Sequence, residues 1–414
     1  MNHRQASNAL YAVLLVTLLS VSGIALPYPI FAPLFGADSH YSIAQFAGVN
    51  KNILFAAVLA AYPLGMFIGS SLIGSLSDSF GRRKTLLLSS VLSAFSYLLS
   101  AVAIVQEAYL LLLLSRLITG LCEGNIAIGR AILTDISEHI DKTKAFSLLF
   151  AVSYMGWLLG PLIGGYSANF GFEHAFYIAS GLTFASLLAI YLFIPETNLK
   201  VQTTPRVETI LSLARQNNSF HLLRRKAIRH FFVMYLLLTT GLMIFYQYFP
   251  LWLSSTFSYT SQTLAHVTVT QTIAMIAVST LLVTQLKNRL GKMPTIYLGV
   301  ISLSLLLFLS PQINADGIYF YFFATGGTIA IYNGLVPVYA SDRFSDVPQG
   351  KLMGLLTSTY CLSGVIAAVS AGLISTYSIT QSIQFGGGLL LLALLILVLI
   401  ERRVTINDKN SIAY

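Results

Sequence analysis

Charge is what this sequence has least of. Of its 414 residues only 9% are Asp, Glu, Lys or Arg, whereas 56% are hydrophobic. A soluble domain carries about 25% charged residues, so a chain this poor in charge has no means of covering a water-facing surface. Lipid removes that requirement, because the outside of the fold can be as apolar as its interior. Cysteine is scarce too. The two present, Cys122 and Cys361, lie inside apolar runs, which excludes a disulfide framework and leaves no metal-ligand spacing. No nucleophile–base pair or phosphate-binding loop is visible, so neither an enzyme nor a cofactor-dependent protein is expected. The formal charge of +9 does not point to nucleic acid, because the basic residues sit in short segments between apolar runs.

What the chain does have is long apolar runs, with a mean hydropathy of +0.75. A spanning helix needs roughly 20 mostly apolar residues. Twelve such stretches are predicted, at 10–32, 53–76, 85–104, 108–133, 144–167, 173–194, 230–253, 264–285, 293–311, 317–339, 352–376 and 381–400. The first apolar run, about Leu10 to Leu34, exceeds a signal-peptide core and reads as a retained span. The expected fold is an all-α polytopic membrane protein of twelve transmembrane helices in two pseudo-symmetric six-helix bundles, 1–194 and 230–414. A basic linker, 195–229, joins them. Cytoplasmic loops carry the excess of Lys and Arg. With twelve spans and both termini inside, all but three of the 24 basic residues fall on the cytoplasmic side. The exceptions are Lys51 outside, and Arg116 and Arg130 within the fourth span. The halves also share a pattern: Asp78-Ser-Phe-Gly81-Arg82 follows the second span and Asn288-Arg-Leu-Gly291-Lys292 follows the eighth, 210 residues later.

Two motifs carry mechanism. Gly74-Ser-Leu-Ser-Asp78-Ser-Phe-Gly81-Arg82-Arg83-Lys84 lies between the second and third spans. It resembles the signature loop of the major facilitator superfamily. Gly74 is expected to allow close helix approach, and Gly81 to make a tight turn. The resemblance implies that Asp78 sits at the positive end of the eleventh span, that Arg82 pairs with Asp135, and that these residues switch conformation rather than bind substrate. Gly156-Trp157-Leu-Leu-Gly160-Pro161-Leu-Ile-Gly164-Gly165 in the fifth span resembles the antiporter motif of the same superfamily, and favours its drug/proton antiporter branch. That branch implies alternating access, a proton gradient as energy source, a monomer, and a multi-pass location in the bacterial inner membrane.

The fourth span carries Arg116, Glu123 and Arg130 at successive spacings of seven, and two turns of helix put all three roughly on one face. Charges at membrane depth face a cavity or a partner. Glu123 is the one acidic residue deep inside a predicted span, and such a carboxyl can load and release a proton as its surroundings change. Glu123 and Arg116 are therefore the expected coupling pair. Candidate substrate contacts are Glu123, Arg116, Arg130, Asn125, Trp157, Gln247, Tyr248, Gln271 and Asn333. The tetracycline exporters of the antiporter branch have an acid in the first span; here Ala25-Leu-Pro27-Tyr28-Pro29 has none. The leading expectation is proton-coupled export of a small organic molecule. The alternative is uptake or facilitated transport of a charged metabolite (an amino acid, hydroxycarboxylate or carboxylate siderophore), with Arg116 and Arg130 holding carboxylates.

Overall fold

The computed structural model describes residues 3–36, 39–198 and 219–412. Most of the expected linker, 199–218, lies outside the described residues. Every regular element among the described residues is a helix. This follows from the solvent, since hydrocarbon offers no partner to a backbone N–H or C=O and only a helix satisfies them within one segment. Among the described residues eleven helices are long and apolar enough to cross a membrane: His3–Phe35, Lys51–Phe80, Arg82–Val105, Tyr109–Asp135, Lys144–Phe170, Phe172–Phe193, Lys226–Phe257, Ser261–Leu281, Lys292–Gln312, Gln349–Ser375 and Ile379–Arg402. The helix Ile318–Arg343 occupies the place of the tenth expected span. Its tyrosines, glycines and Asn333 dilute its hydropathy.

By internal contact the chain divides into two units, Met1–Asn217 with Leu253–Thr272, and Asn218–Trp252 with Ile273–Tyr414. In the first unit, the first span packs on the fifth and sixth, the second on the fourth, and the third on the fourth and sixth. Small residues make these approaches possible. A Cβ at Gly156 would meet Val21, one at Gly160 would meet the Ser22 carbonyl at 2.6 Å, and one at Gly164 would meet the Leu26 carbonyl at 1.9 Å. The antiporter-like motif is thus the face of the fifth span that touches the first. Gly165 faces elsewhere, against Ser261 and Ala265 of the eighth span, where Tyr166 Oη lies 3.0 Å from His266 Nε2. Between the third and fourth spans, Ser96 Oγ donates to the Ser115 carbonyl at 2.6 Å and Ser100 pairs with Ser115 at 2.8 Å. An apolar cluster of Ala12, Val13, Ile128, Ile132, Leu149 and Ile190 packs together toward the end nearest the basic loops.

In the second unit the ninth span packs on the tenth and twelfth. The shared pattern of the halves is built the same way in both. Gly81 and Gly291 hold φ of +104° and +90°, each ending one helix and starting the next. Glycine reaches those angles without steric cost. Arg82 then pairs with Asp135, and Lys292 with Asp342, at the far end of the following helix in each case.

Two expectations change. Gly74 has nothing within 4 Å of the Cβ it lacks, so it makes no close helix approach. The fourth span is not one continuous helix: it stops at Leu121 and resumes at Asn125. Gly164→Ala should therefore lower the apparent melting point in detergent, at a cost of about 1–3 kcal/mol, and Gly74→Ala should leave it within about 0.5 kcal/mol. Thermal unfolding of the two variants beside the parent checks both.

Candidate functional site

Two spans of the first unit are interrupted, and Glu123 lies at one of the interruptions. The first span breaks at Leu26–Pro27 and resumes at Tyr28, because Pro27 and Pro29 withdraw N–H donors from the helix. The fourth breaks at Cys122–Gly124, with Gly124 at φ −141° and ψ −2°. Just before that break the fourth span is pinned to the second. A Cβ at Gly120 would meet the Tyr62 carbonyl at 2.1 Å, one at Gly65 the Leu117 carbonyl at 2.2 Å, and one at Gly69 the Leu121 carbonyl at 2.2 Å. Non-helical backbone at membrane depth is tolerated where protein or a cavity surrounds it, and transporters place their sites there.

Arg116 is 3% exposed. Its guanidinium carbon lies 5.5 Å from the Phe31 ring centre and 5.0 Å from that of Tyr62. Those contacts stabilise the cation by about 0.5–2 kcal/mol each, but they accept no hydrogen bond, and Nε and Nη1 have no partner. Glu123 sits in the break itself, with Oε1 buried and equally unpartnered. Arg116, Tyr62 and Tyr97 all lie within electrostatic range of Glu123, and Tyr28 within range of Arg116. Yet among the described residues neither Arg116 nor Glu123 forms an ion pair. Asn125, by contrast, is satisfied: Nδ2 donates to Ser20 Oγ at 2.9 Å, and Oδ1 accepts from Ser89 Oγ at 3.1 Å. It ties the first, third and fourth spans together just past the break.

The break separates the expected row of three charges. Arg130 is exposed, with its guanidinium 5.6 Å from the Phe150 ring centre. Among the described residues it pairs with neither Asp78 nor Asp135. Trp157 is exposed and meets the Tyr28 ring edge-on at 5.7 Å, beside the Arg116 group. Gln271, also of the first unit, is buried with Nε2 unpartnered. In the second unit, Gln247 Nε2 donates to the Gly364 carbonyl at 3.1 Å, and Tyr248 Oη to the Ala368 carbonyl at 2.8 Å. Asn333 is exposed. Sequence reasoning missed Tyr28, Phe31, Tyr62 and Tyr97. Tyr28 alone had a local signal, its position directly after Pro27.

A second cluster lies at the end that carries the basic loops. Arg82 Nη1 donates to Ser77 Oγ at 3.0 Å and to Asp78, while Nε donates to Asp135 Oδ2 at 3.3 Å. Thr197 Oγ1 donates to the same Asp135 oxygen at 2.8 Å. The Glu196 carboxylate, which sequence reasoning missed, accepts the backbone N–H of Arg82 at 2.8 Å and of Arg83 at 3.2 Å. It thereby occupies the positive N-terminal end of the third span. This network binds the starts and ends of four spans of one unit; it does not touch the buried Arg116 group.

The sequence profile of the Major Facilitator Superfamily matches residues 13–368. The chain belongs to that superfamily. Among curated superfamily members, the class B tetracycline resistance protein of Escherichia coli is 29% identical over 222 residues, 54% of this chain and 52% of the relative. This chain thus aligns with about half the length of that relative. Multidrug resistance protein 2 of Bacillus subtilis is 22% identical over 378 residues, 90% of each chain. Among solved structures, a D-xylose–proton symporter superposes with a TM-score of 0.75 at 16% identity, covering 94% of this chain and 96% of that one. The superfamily consists of transporters, which supports a non-enzymatic reading. Asp78→Asn should lower turnover about tenfold, equivalent to about 1.4 kcal/mol in the barrier, with ligand affinity unchanged. Parallel flux and binding measurements decide it, and a large loss of affinity at normal turnover refutes a switching role.

Proposed function

We propose that this chain exports a small organic molecule across a bacterial inner membrane by proton-coupled alternating access, with Glu123 as the proton-carrying group. The observation that carries the reading is the position of Glu123, in the backbone break of the fourth span with one carboxylate oxygen buried and unpartnered. An ionised carboxylate without partners at such a depth is costly, so its protonation must follow changes in its surroundings. Those surroundings change as an alternating-access cycle turns, which links proton binding to the state of the transporter. Arg116 lies within electrostatic range and biases that linkage. Asp78, Arg82 and Asp135 serve as the switch on the cytoplasmic side, where both termini lie.

Export is supported by the names of the tetracycline and multidrug resistance relatives, the second of which aligns across 90% of the chain. The proton gradient is the proposed energy source, and the proposed unit is a monomer in the bilayer.

The test is solute flux in proteoliposomes under an imposed pH gradient, with labelled lipophilic cations and aromatic carboxylates as probes. Transport by the parent should respond to the gradient, and Glu123→Gln should transport at a rate independent of it. Gradient-independent transport by the parent, or undiminished coupling in the variant, contradicts the reading.

A further inference from the structure

The Arg116 environment identifies a chemical class of substrate. A guanidinium offers five N–H donors and no acceptor. Here the side chain is 3% exposed, and Nε and Nη1 are without acceptors. The groups nearest it are rings: Phe31 and Tyr62 flank the guanidinium, Tyr28 lies within electrostatic range, and Trp157 meets Tyr28. Rings attract the charge but leave the N–H groups unsatisfied. Leaving a buried charge unpaired is strongly destabilising. Elsewhere in the molecule Arg82, Arg225 and Arg343 each have a carboxylate at ion-pair distance. Arg116 has none among the described residues, although Glu123 lies on the same span one break away.

We infer that Arg116 is the anchor for an anionic group on the transported molecule, which is a small organic acid with a flat apolar body. The guanidinium supplies the charge and the donors that a carboxylate needs. Phe31, Tyr62, Tyr28 and Trp157 supply aromatic surface for the rest of the ligand. Among the described residues Glu123 forms no ion pair with Arg116, although it lies within electrostatic range, and its own Oε1 is unpartnered. The inference rests on reading this cluster as the transport site and adds the sign of the ligand's charge.

The experiment compares acids with their neutral amides on the purified full chain: benzoate against benzamide, and naphthoate against naphthamide, with tetraphenylphosphonium as a cationic probe. Affinity is read from ligand-dependent thermal stabilisation. Hydrogen bonds to a charged group contribute about 1.5–3 kcal/mol, so each acid should bind about ten- to a hundredfold more tightly than its amide. That preference should disappear in Arg116→Gln. The acid–amide comparison on the parent needs no variant, so it decides the ligand's charge even where Arg116→Gln fails to fold. Equal binding of acids and amides, no binding of either acid, tighter binding of tetraphenylphosphonium than of both acids, or an acid preference that survives in a folded Arg116→Gln protein would each overturn the inference. None of these results bears on proton coupling, which is read separately from flux under a pH gradient. Failure there leaves the acid preference standing.

Discussion

A basic and an acidic side chain lie within electrostatic range of one another in one unit and form no ion pair among the described residues. Arg116 is buried with donors unmet, and Glu123 is held in a helix break with an oxygen unmet. In a medium of low dielectric such groups cannot remain indifferent to one another or to a ligand. The closing of an ion pair, the arrival of an anion and the binding of a proton are alternative ways to lower the same energy. A transporter needs that kind of degeneracy. States that differ by a few kcal/mol can be reordered by a solute or a proton, whereas a fully satisfied buried salt bridge would lock one of them.

The rest of the unit holds this pair in place. Gly65, Gly69 and Gly120 bring the second and fourth spans to backbone contact directly before the break, and Gly156, Gly160 and Gly164 do the same for the fifth span and the first. Asn125 bonds to Ser20 and Ser89, fixing the point where the fourth span resumes. The interruptions are therefore local. Rigid, closely packed helix flanks them on both sides. At the other end of the unit, Arg82, Asp135 and Glu196 tie helix ends together through exposed and partly exposed polar contacts. Such contacts contribute little each and can be exchanged at small cost, as the proposed switch requires.

Much of this was legible in the residues. The helical membrane fold follows from scarcity of charge and length of apolar run, and the family from the glycine, aspartate and arginine spacing around Asp78 and Arg82. The repeat at an offset of 210 residues reappears as two glycine turns with φ of +104° and +90°. What stayed hidden depends on three-dimensional packing. The fourth span contains no proline, so its break had only Gly120 and Gly124 around Glu123 as a signal, and seven-residue spacing suggested a continuous charged face instead. Tyr62 and Tyr97 are two among 22 tyrosines, and nothing local marks them as neighbours of Arg116. Glu196 lies 114 residues from Arg82. Gly74, despite its place in the motif, meets no neighbour; the structure offers no packing reason for it.

The account stands on the claim that solute and proton meet at the Arg116–Glu123 site. Calorimetric titration of a bound solute in buffers of different ionisation heat counts the protons taken up or released on binding. The account predicts a non-zero count for the parent and none for Glu123→Gln. A count of zero in the parent, or the same count in both proteins, would contradict it.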